Sequence, residues 1–441
     1  MKNFLKIISG GISRRTLIFW AGTLLVGLAA YGLGVGAGAA FNFFQKMGRA
    51  LWWWPLLSLP AGGLALTWFM RRVGPGTEGS GIQQAVAAIA VSDRPAIVGW
   101  FINLRLAAAK FMAIIVGMGS GFVLGLEGPT VQIGASILYS FRKHLGARCA
   151  VARRQLVMAG GAAGIAAAFN APLAGLMFAF EELGRSVNWH ASVKVAVGVI
   201  LAGAAAFALR GRHAFFGLVP LAPVFDPALI AILFATTIAG AAVGGGFAWL
   251  ATRTEAWLPE PLRAFRLAHP YFFVIFCGLI IALLGFIAPI HGSGLELTGE
   301  MLRAGAEVPW YYVPLKMGGL LLTLLTGVPG GIFSPSLSLG AGVGCWFLPL
   351  GAEAWQAEII AIGMIAVLSA VTRAPLTSAF IVVEMTGGQS MSIEALGAAL
   401  LAAQLARLTH VKFYHDLAGR ALKAVPDSIK KSDDRREPSC P

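Results

Sequence analysis

Along this chain, apolar residues come in long blocks, not in the alternation of a half-buried strand or the narrow stripe of a surface helix. Residues 17–44, 101–124, 229–250, 271–289 and 310–325 are each close to, or beyond, the roughly 20 residues that span a bilayer as a helix. The pattern predicts an all-α polytopic membrane protein. Many further apolar segments are short or cut by glycine and proline. Most of the 56 glycines fit tight helix packing through small faces. Those that recur in ordered motifs point instead to broken and tilted helices, whose open backbone is tolerated only inside protein or along an aqueous cavity.

Composition agrees. Hydrophobic residues make up 57% and charged ones 12%, and the mean hydropathy is +0.75. A soluble domain carries about 25% charged residues, so a water-soluble core cannot account for this chain. The first apolar block is too long for a cleaved signal peptide, and no cleavage pattern accompanies it. The net charge of +14 raises nucleic acid as a partner, but the basic residues argue against it. They cluster at Lys2, Lys6, Arg14 and Arg15, within 142–154, and within 423–436, which flank apolar segments. Excess Lys and Arg mark cytoplasmic loops, so both termini are expected to be cytoplasmic. Four scattered cysteines and seven histidines show neither metal-ligand nor disulfide spacing. No metal and no cofactor is expected.

One stretch concentrates unusual chemistry. Gly125-Leu126-Glu127-Gly128-Pro129 sets a carboxylate inside an apolar run, just before a proline suited to a first helical turn. Helix N-termini favour anions, so the motif reads as an anion site with a built-in competitor. An intramembrane acid is functional by default, because a central carboxylate costs about 2.5–3.5 kcal/mol on insertion scales. Against this stands an ordinary carboxylate at a helix end near the membrane edge.

Three motifs repeat in order. Gly79-Ser80-Gly81-Ile82 matches Gly292-Ser293-Gly294-Leu295, and Pro129 with Gly134-Ala135 matches Pro335 with Gly340-Ala341. Asn170-Ala171-Pro172-Leu173, ending at Glu181, matches Arg373-Ala374-Pro375-Leu376, ending at Glu384. The interval from Pro129 to Ala171 is 42 residues and that from Pro335 to Ala374 is 39. The chain therefore reads as a duplication. The expected units are an N-terminus (1–14), a first membrane repeat (15–209), a linker (210–224), a second repeat with a last helix (225–422), and a charged, disordered tail (423–441). Repeats built from interrupted helices predict a transporter-like fold with its site at the midplane, between the halves.

These motifs, with Gly330-Gly331-Ile332-Phe333-Ser334-Pro335, Glu181-Glu182 and Tyr414, resemble those of the CLC family of chloride channels and chloride/proton antiporters. The resemblance covers nearly the whole chain and implies two inverted-topology repeats and a homodimer with one anion pathway per subunit. It implies that Glu127 is a gating glutamate that stands in for chloride until protonated. It places Ser80, Gly81, Tyr414 and the backbone N–H groups of Ile332 and Phe333 around the anion, with Gly79, Gly128, Pro129 and Pro335 in support. A serine hydroxyl suits a site that must also release its ion. The bland alternatives are a packing-turn serine and an interfacial tyrosine. Glu182 matches the glutamate that delivers protons from the cytoplasm in exchangers, weighed against a solvated helix-end pair. Met385 stands at its duplicate, so one proton route per subunit is expected.

Three departures from the family pattern stand out. Gln83 replaces a usual proline, which should loosen the loop after Ser80. Leu126 replaces a common Arg or Lys, which should weaken anion attraction at the outer mouth. Lys110 matches a buried lysine whose glutamate partner is Val86 here, so it must find another partner, shift its pKa or face water. Retention of the Ser80 and Pro129 motifs argues against fluoride. About thirty residues follow Lys412, too few for the family's paired nucleotide-binding domains, so no ATP regulation is expected. The implied function is a chloride/proton antiporter in the inner membrane, a secondary active transporter and not an enzyme. A passive chloride channel, with other anions such as nitrate as possible ions, competes on the same scaffold. A membrane-embedded hydrolase is a distant competitor, because two acids sharing a proton are not evident.

Overall fold

The computed structural model describes residues 13–147, 149–184, 189–211, 214–219 and 226–432. Among these, seven helices are long and apolar enough to cross a membrane, and the chain is a multi-pass helical membrane protein. The first half contains α1 (Arg14–Ala50), α2 (Trp54–Arg72), α3 (Ile82–Ala90), α4 (Leu104–Ser120), α5 (Glu127–Ser140), α6 (Ala150–Phe169), α7 (Pro172–Phe178) and α8 (Trp189–Arg210). The second repeats the order with α9 (Pro227–Thr252), α10 (Pro270–Ile287), α11 (Leu295–Ala304), α12 (Tyr312–Thr326), α13 (Phe333–Cys345), α14 (Gln356–Thr372), α15 (Pro375–Thr386) and α16 (Ser392–Ala406). A last helix, α17 (Phe413–Lys423), has no partner in this scheme.

Packing repeats with the order. Helices α5 and α6 pack together as α13 and α14 do, and α8 on α6 matches α16 on α14. Small residues make the contact, as expected where lipid supplies no hydrophobic drive between helices. A Cβ on Gly134 would stand 2.2 Å from the Gly160 carbonyl oxygen, and one on Gly340 would stand 2.4 Å from that of Gly363.

The halves meet through equivalent elements: α2 packs on α10, and α7 on α15. Between them Gly125 and Gly331, at matching positions, exchange two backbone hydrogen bonds of 2.8 Å in an antiparallel bridge. A residue paired antiparallel with its own counterpart marks a two-fold axis between the repeats. Helix ends agree as well. Asn170 and Arg373, each with φ of 57°, close α6 and α14 in the left-handed region and redirect the chain into α7 and α15.

Two expectations need correction. The block at 101–124 is not one helix: it is broken at Ile102, with a separate turn Pro95–Phe101 before α4. Asn103 caps α4, its side chain accepting from Leu106 N at 2.9 Å. The tail begins with a short helix, Asp427–Ser432, where disorder was expected; residues 433–441, like 1–12, lie outside the described residues. Cys277 and Cys345 are free and buried.

Candidate functional site

Two helix N-termini face each other across the bridge. Pro129 and Pro335 both fall in first turns, where a missing N–H costs nothing. Glu127 opens α5 and is only 3% exposed. Its carboxylate crosses to the other repeat, accepting from Ser334 N at 3.3 Å and from the Ser334 hydroxyl. Glu127 therefore occupies the anion seat at the start of α13, where free N–H groups and the helix dipole favour negative charge. The amides expected there were those of Ile332 and Phe333; the donor that reaches the carboxylate is Ser334, the next residue.

Beside this seat the first glycine-serine-glycine loop lies against the start of α5. A Cβ on Gly128 would come within 2.1 Å of Ser80 Oγ, and one on Gly81 within 2.5 Å of the Gly128 carbonyl oxygen. Gly79 and Gly81, with φ of 72° and 109°, bend the loop so that Ser80 turns inward. The loop is pinned despite Gln83. Lys110 Nζ donates to the Thr77 carbonyl at 2.8 Å and the Gly79 carbonyl at 2.7 Å, and Gly330 N also donates to Gly79 O at 3.2 Å. Gln84 Nε2 adds a bond of 2.6 Å to Glu78 O. Lys110 thus finds backbone carbonyls where its side-chain partner is missing. Lys316 does the same in the second half, donating to Ile290 O at 2.7 Å and Gly292 O at 3.1 Å.

Tyr414, the second residue of α17, is 1% exposed and stacks on Phe333 with ring centroids 6.1 Å apart. Phe169 and Phe178 close the other sides of the Phe333 ring. The Tyr414 hydroxyl faces that of Ser80 and lies within electrostatic reach of both Glu127 and Glu182. Apart from each other, neither hydroxyl has a hydrogen-bond partner among the described residues, and both are buried. Buried polar groups are nearly always paired. Two buried hydroxyls set side by side, with only each other as partner, are donors suited to a ligand.

Two cavities reach the site and share no lining residue. One, of about 560 Å³, reaches Glu127 past Leu126 and Ser293. The other, of about 190 Å³, reaches Ser80 and Ile332 past Arg266 and Arg420. Glu127, Ser80 and Tyr414 stand between them.

The second acidic pair divides. Glu181 accepts from Leu376 N at 3.0 Å and Thr377 N at 2.7 Å, so it caps α15. Its duplicate Glu384 accepts from Leu173 N at 3.1 Å and Ala174 N at 2.8 Å, so it caps α7. These are reciprocal structural caps across the axis. Both acids lie in a π-helical segment, Ala179–Gly184, a deviation often found at functional sites, but Glu182 has a different neighbour. It is 4% exposed, and His415 Nδ1 lies 3.4 Å from its Oε1.

Sequence reasoning missed Ser334, Lys316, His415 and the capping role of Glu181. Lys316 was within reach, because it stands as far before Phe333 as Lys110 stands before Glu127. Ser334 and His415 carried no such signal beyond adjacency to Phe333 and Tyr414.

Comparison with known proteins fits this geometry. Residues 62–407 match the family model described as voltage gated chloride channel. The H(+)/Cl(-) exchange transporter ClcA of Citrobacter koseri is 35% identical over 381 residues, covering 81% of this chain and 78% of that protein. The ClcA of Salmonella agona is 34% identical over the same shares. Among solved structures, a slow cyanobacterial Cl-/H+ antiporter superposes with a TM-score of 0.77 at 22% identity, covering 94% of this chain and 99% of that one. A CLC-type fluoride/proton antiporter gives 0.71 at 21% identity, over 91% and 97%. With most of its length matched and the repeat geometry in agreement, this chain belongs to the voltage-gated chloride channel family.

Proposed function

We propose that this protein exchanges chloride for protons across the inner membrane. The observation that carries the reading is Glu127. Its buried carboxylate fills the anion seat of α13, one step from two buried hydroxyls that have only each other as partner. A tethered anion and a free one compete for such a seat. When the carboxylate is ionised it holds the seat; when a proton neutralises it, the attraction to the Ser334 N–H and the helix dipole weakens. The side chain then leaves and chloride replaces it. Chloride is held next by Ser80 and Tyr414, neutral donors that also let it go, with Gly81 lending backbone. One carboxylate thus exchanges two ions in opposite directions. Glu182 supplies the protons from the side of α17, and its burial behind α17 supports that role. The exchange named for the ClcA relatives supports the same reading.

Both termini lie in the cytoplasm in this reading, in line with the basic residues at each end. The protein works as a homodimer through α8 and α16, which expose Val193, Ile200, Ile393 and Leu400. Photobleaching of single labelled particles in liposomes tests this: two steps support the dimer, and one step removes it.

The decisive experiment imposes a chloride gradient on sealed proteoliposomes of purified protein and follows pH. Proton movement against its own gradient is expected. Chloride flux with no proton movement would establish a passive channel.

A further inference from the structure

The mechanism leaves one question at the start of the proton route. Glu182 is buried, and the cavity leading to it, of about 560 Å³, is lined by Arg373, Arg407 and Lys412. A cleft of one sign concentrates ions of the other. Its three cations outnumber its two carboxylates, Glu181 and Glu182, so the excess positive charge disfavours hydronium just where protons must enter. A carboxylate at its back is poorly placed to capture them unaided.

His415 stands between. It lines the same cavity, its side chain is 25% exposed where that of Glu182 is 5%, and its Nδ1 is 3.4 Å from Glu182 Oε1. The other charged or titratable groups at the cavity wall are Glu181, capped onto α15, and His410 on the turn before α17. On its own helix the neighbouring acid, Asp416, accepts from Lys412 N at 2.9 Å. Imidazole is the side chain whose ordinary pKa lets it take and give protons near neutrality, and as a neutral base it is not repelled by nearby cations. Adjacent residues on a helix point about 100° apart. The first turn of α17 therefore presents Tyr414 to the anion path and His415 to Glu182.

We propose that His415 is the relay that loads Glu182 with protons. It rests on the antiporter reading above. Hydronium arriving through the cavity water gives its proton to Nε2 of the neutral ring and leaves as water. The imidazolium then gives its Nδ1 proton to Glu182 Oε1: the N–H bond breaks, an O–H bond forms, and both charges are neutralised. The ring, left with its proton on Nε2, returns to the starting tautomer by exchange with cavity water. Rotation of the quarter-exposed side chain closes the 3.4 Å separation to hydrogen-bond length.

The test compares the wild type, His415→Gln and His415→Ala in the proteoliposome assay, reading protons and chloride together. His415→Gln keeps a polar side chain but cannot relay; proton flux should fall about tenfold or more, while chloride permeates with less coupling. Added imidazole should restore proton flux to His415→Ala and do nothing for His415→Gln, whose side chain fills the space. Unchanged coupling in His415→Gln overturns the proposal, as does an unrescued His415→Ala, which would leave His415 a positioning residue. Loss of chloride flux in both variants also counts against it, because the relay lies outside the anion path. A wild type that moves no protons overturns the antiporter reading and this proposal together; a wild type that pumps beside an unaffected His415→Gln overturns this proposal alone.

Discussion

The two halves of this molecule share a scaffold and differ in chemistry. Backbone devices come in pairs: Gly125 with Gly331 at the bridge, Lys110 with Lys316 behind the serine loops, Glu181 with Glu384 as reciprocal caps, and Asn170 with Arg373 at the left-handed ends. The reactive side chains do not. Glu127 stands opposite Phe333, Glu182 opposite Met385, and Tyr414 on a helix outside the duplication. Duplication built two facing helix N-termini, but two fixed carboxylates facing each other would repel. One half supplies the tethered anion and the other supplies the seat. What the pair teaches is that symmetry makes the cavity while its breaking makes a direction.

Substitutions at matched positions put this comparison to work. The largest effect is expected at the gate. Glu127→Ala should leave chloride flux and reduce coupled proton movement by about 100-fold or more, whereas Phe333→Leu at the matching position should keep coupling. Proton pumping that survives in Glu127→Ala would remove the carboxylate from the mechanism. Next comes the inner acid. Glu182→Gln should nearly stop protons while chloride passes, and Met385→Leu should change neither, both measured by the same pH and chloride recordings.

The paired scaffold residues should instead behave alike. Lys110→Met and Lys316→Met each remove a donor shared by two carbonyls, although Gly79 O keeps its bond from Gly330 N, at a cost of about 1–3 kcal/mol. Thermal unfolding in detergent should show similar losses; a large loss at one lysine only would break the equivalence. The smallest effect is expected at the caps. Glu181→Gln and Glu384→Gln each weaken one cap, by about 0.5–2 kcal/mol, and should leave proton coupling intact. A coupling defect in Glu181→Gln would draw that residue into the proton route.

Legibility in the sequence followed the range of the interaction. The membrane class came from blocks of apolar residues, and the register of the duplication came from glycine and proline, because backbone geometry ties those residues to particular positions. Helices spanning Phe333–Leu350, Glu353–Thr372 and Gln389–Thr409 escaped the list of long apolar blocks. Hydropathy is low in the first and third, at 1.2 and 1.3, and the first two are 78% buried in protein, so those two are matched to helices more than to lipid. Lys110 could be flagged as a buried cation, but its partners are carbonyls, which no side-chain pattern reveals.

By itself, then, the sequence determined that the chain crosses the membrane many times, that it is two copies of one plan, and that Glu127 is the acid out of place. These follow from hydropathy and local backbone preference, which are written residue by residue. Only the tertiary structure decided that Ser334 receives Glu127, that Glu181 caps a helix while its neighbour Glu182 meets His415, and that each lysine ties down a serine loop. Those are contacts between residues far apart in the chain or on its two halves, and a side chain's partner there is chosen by how the helices pack.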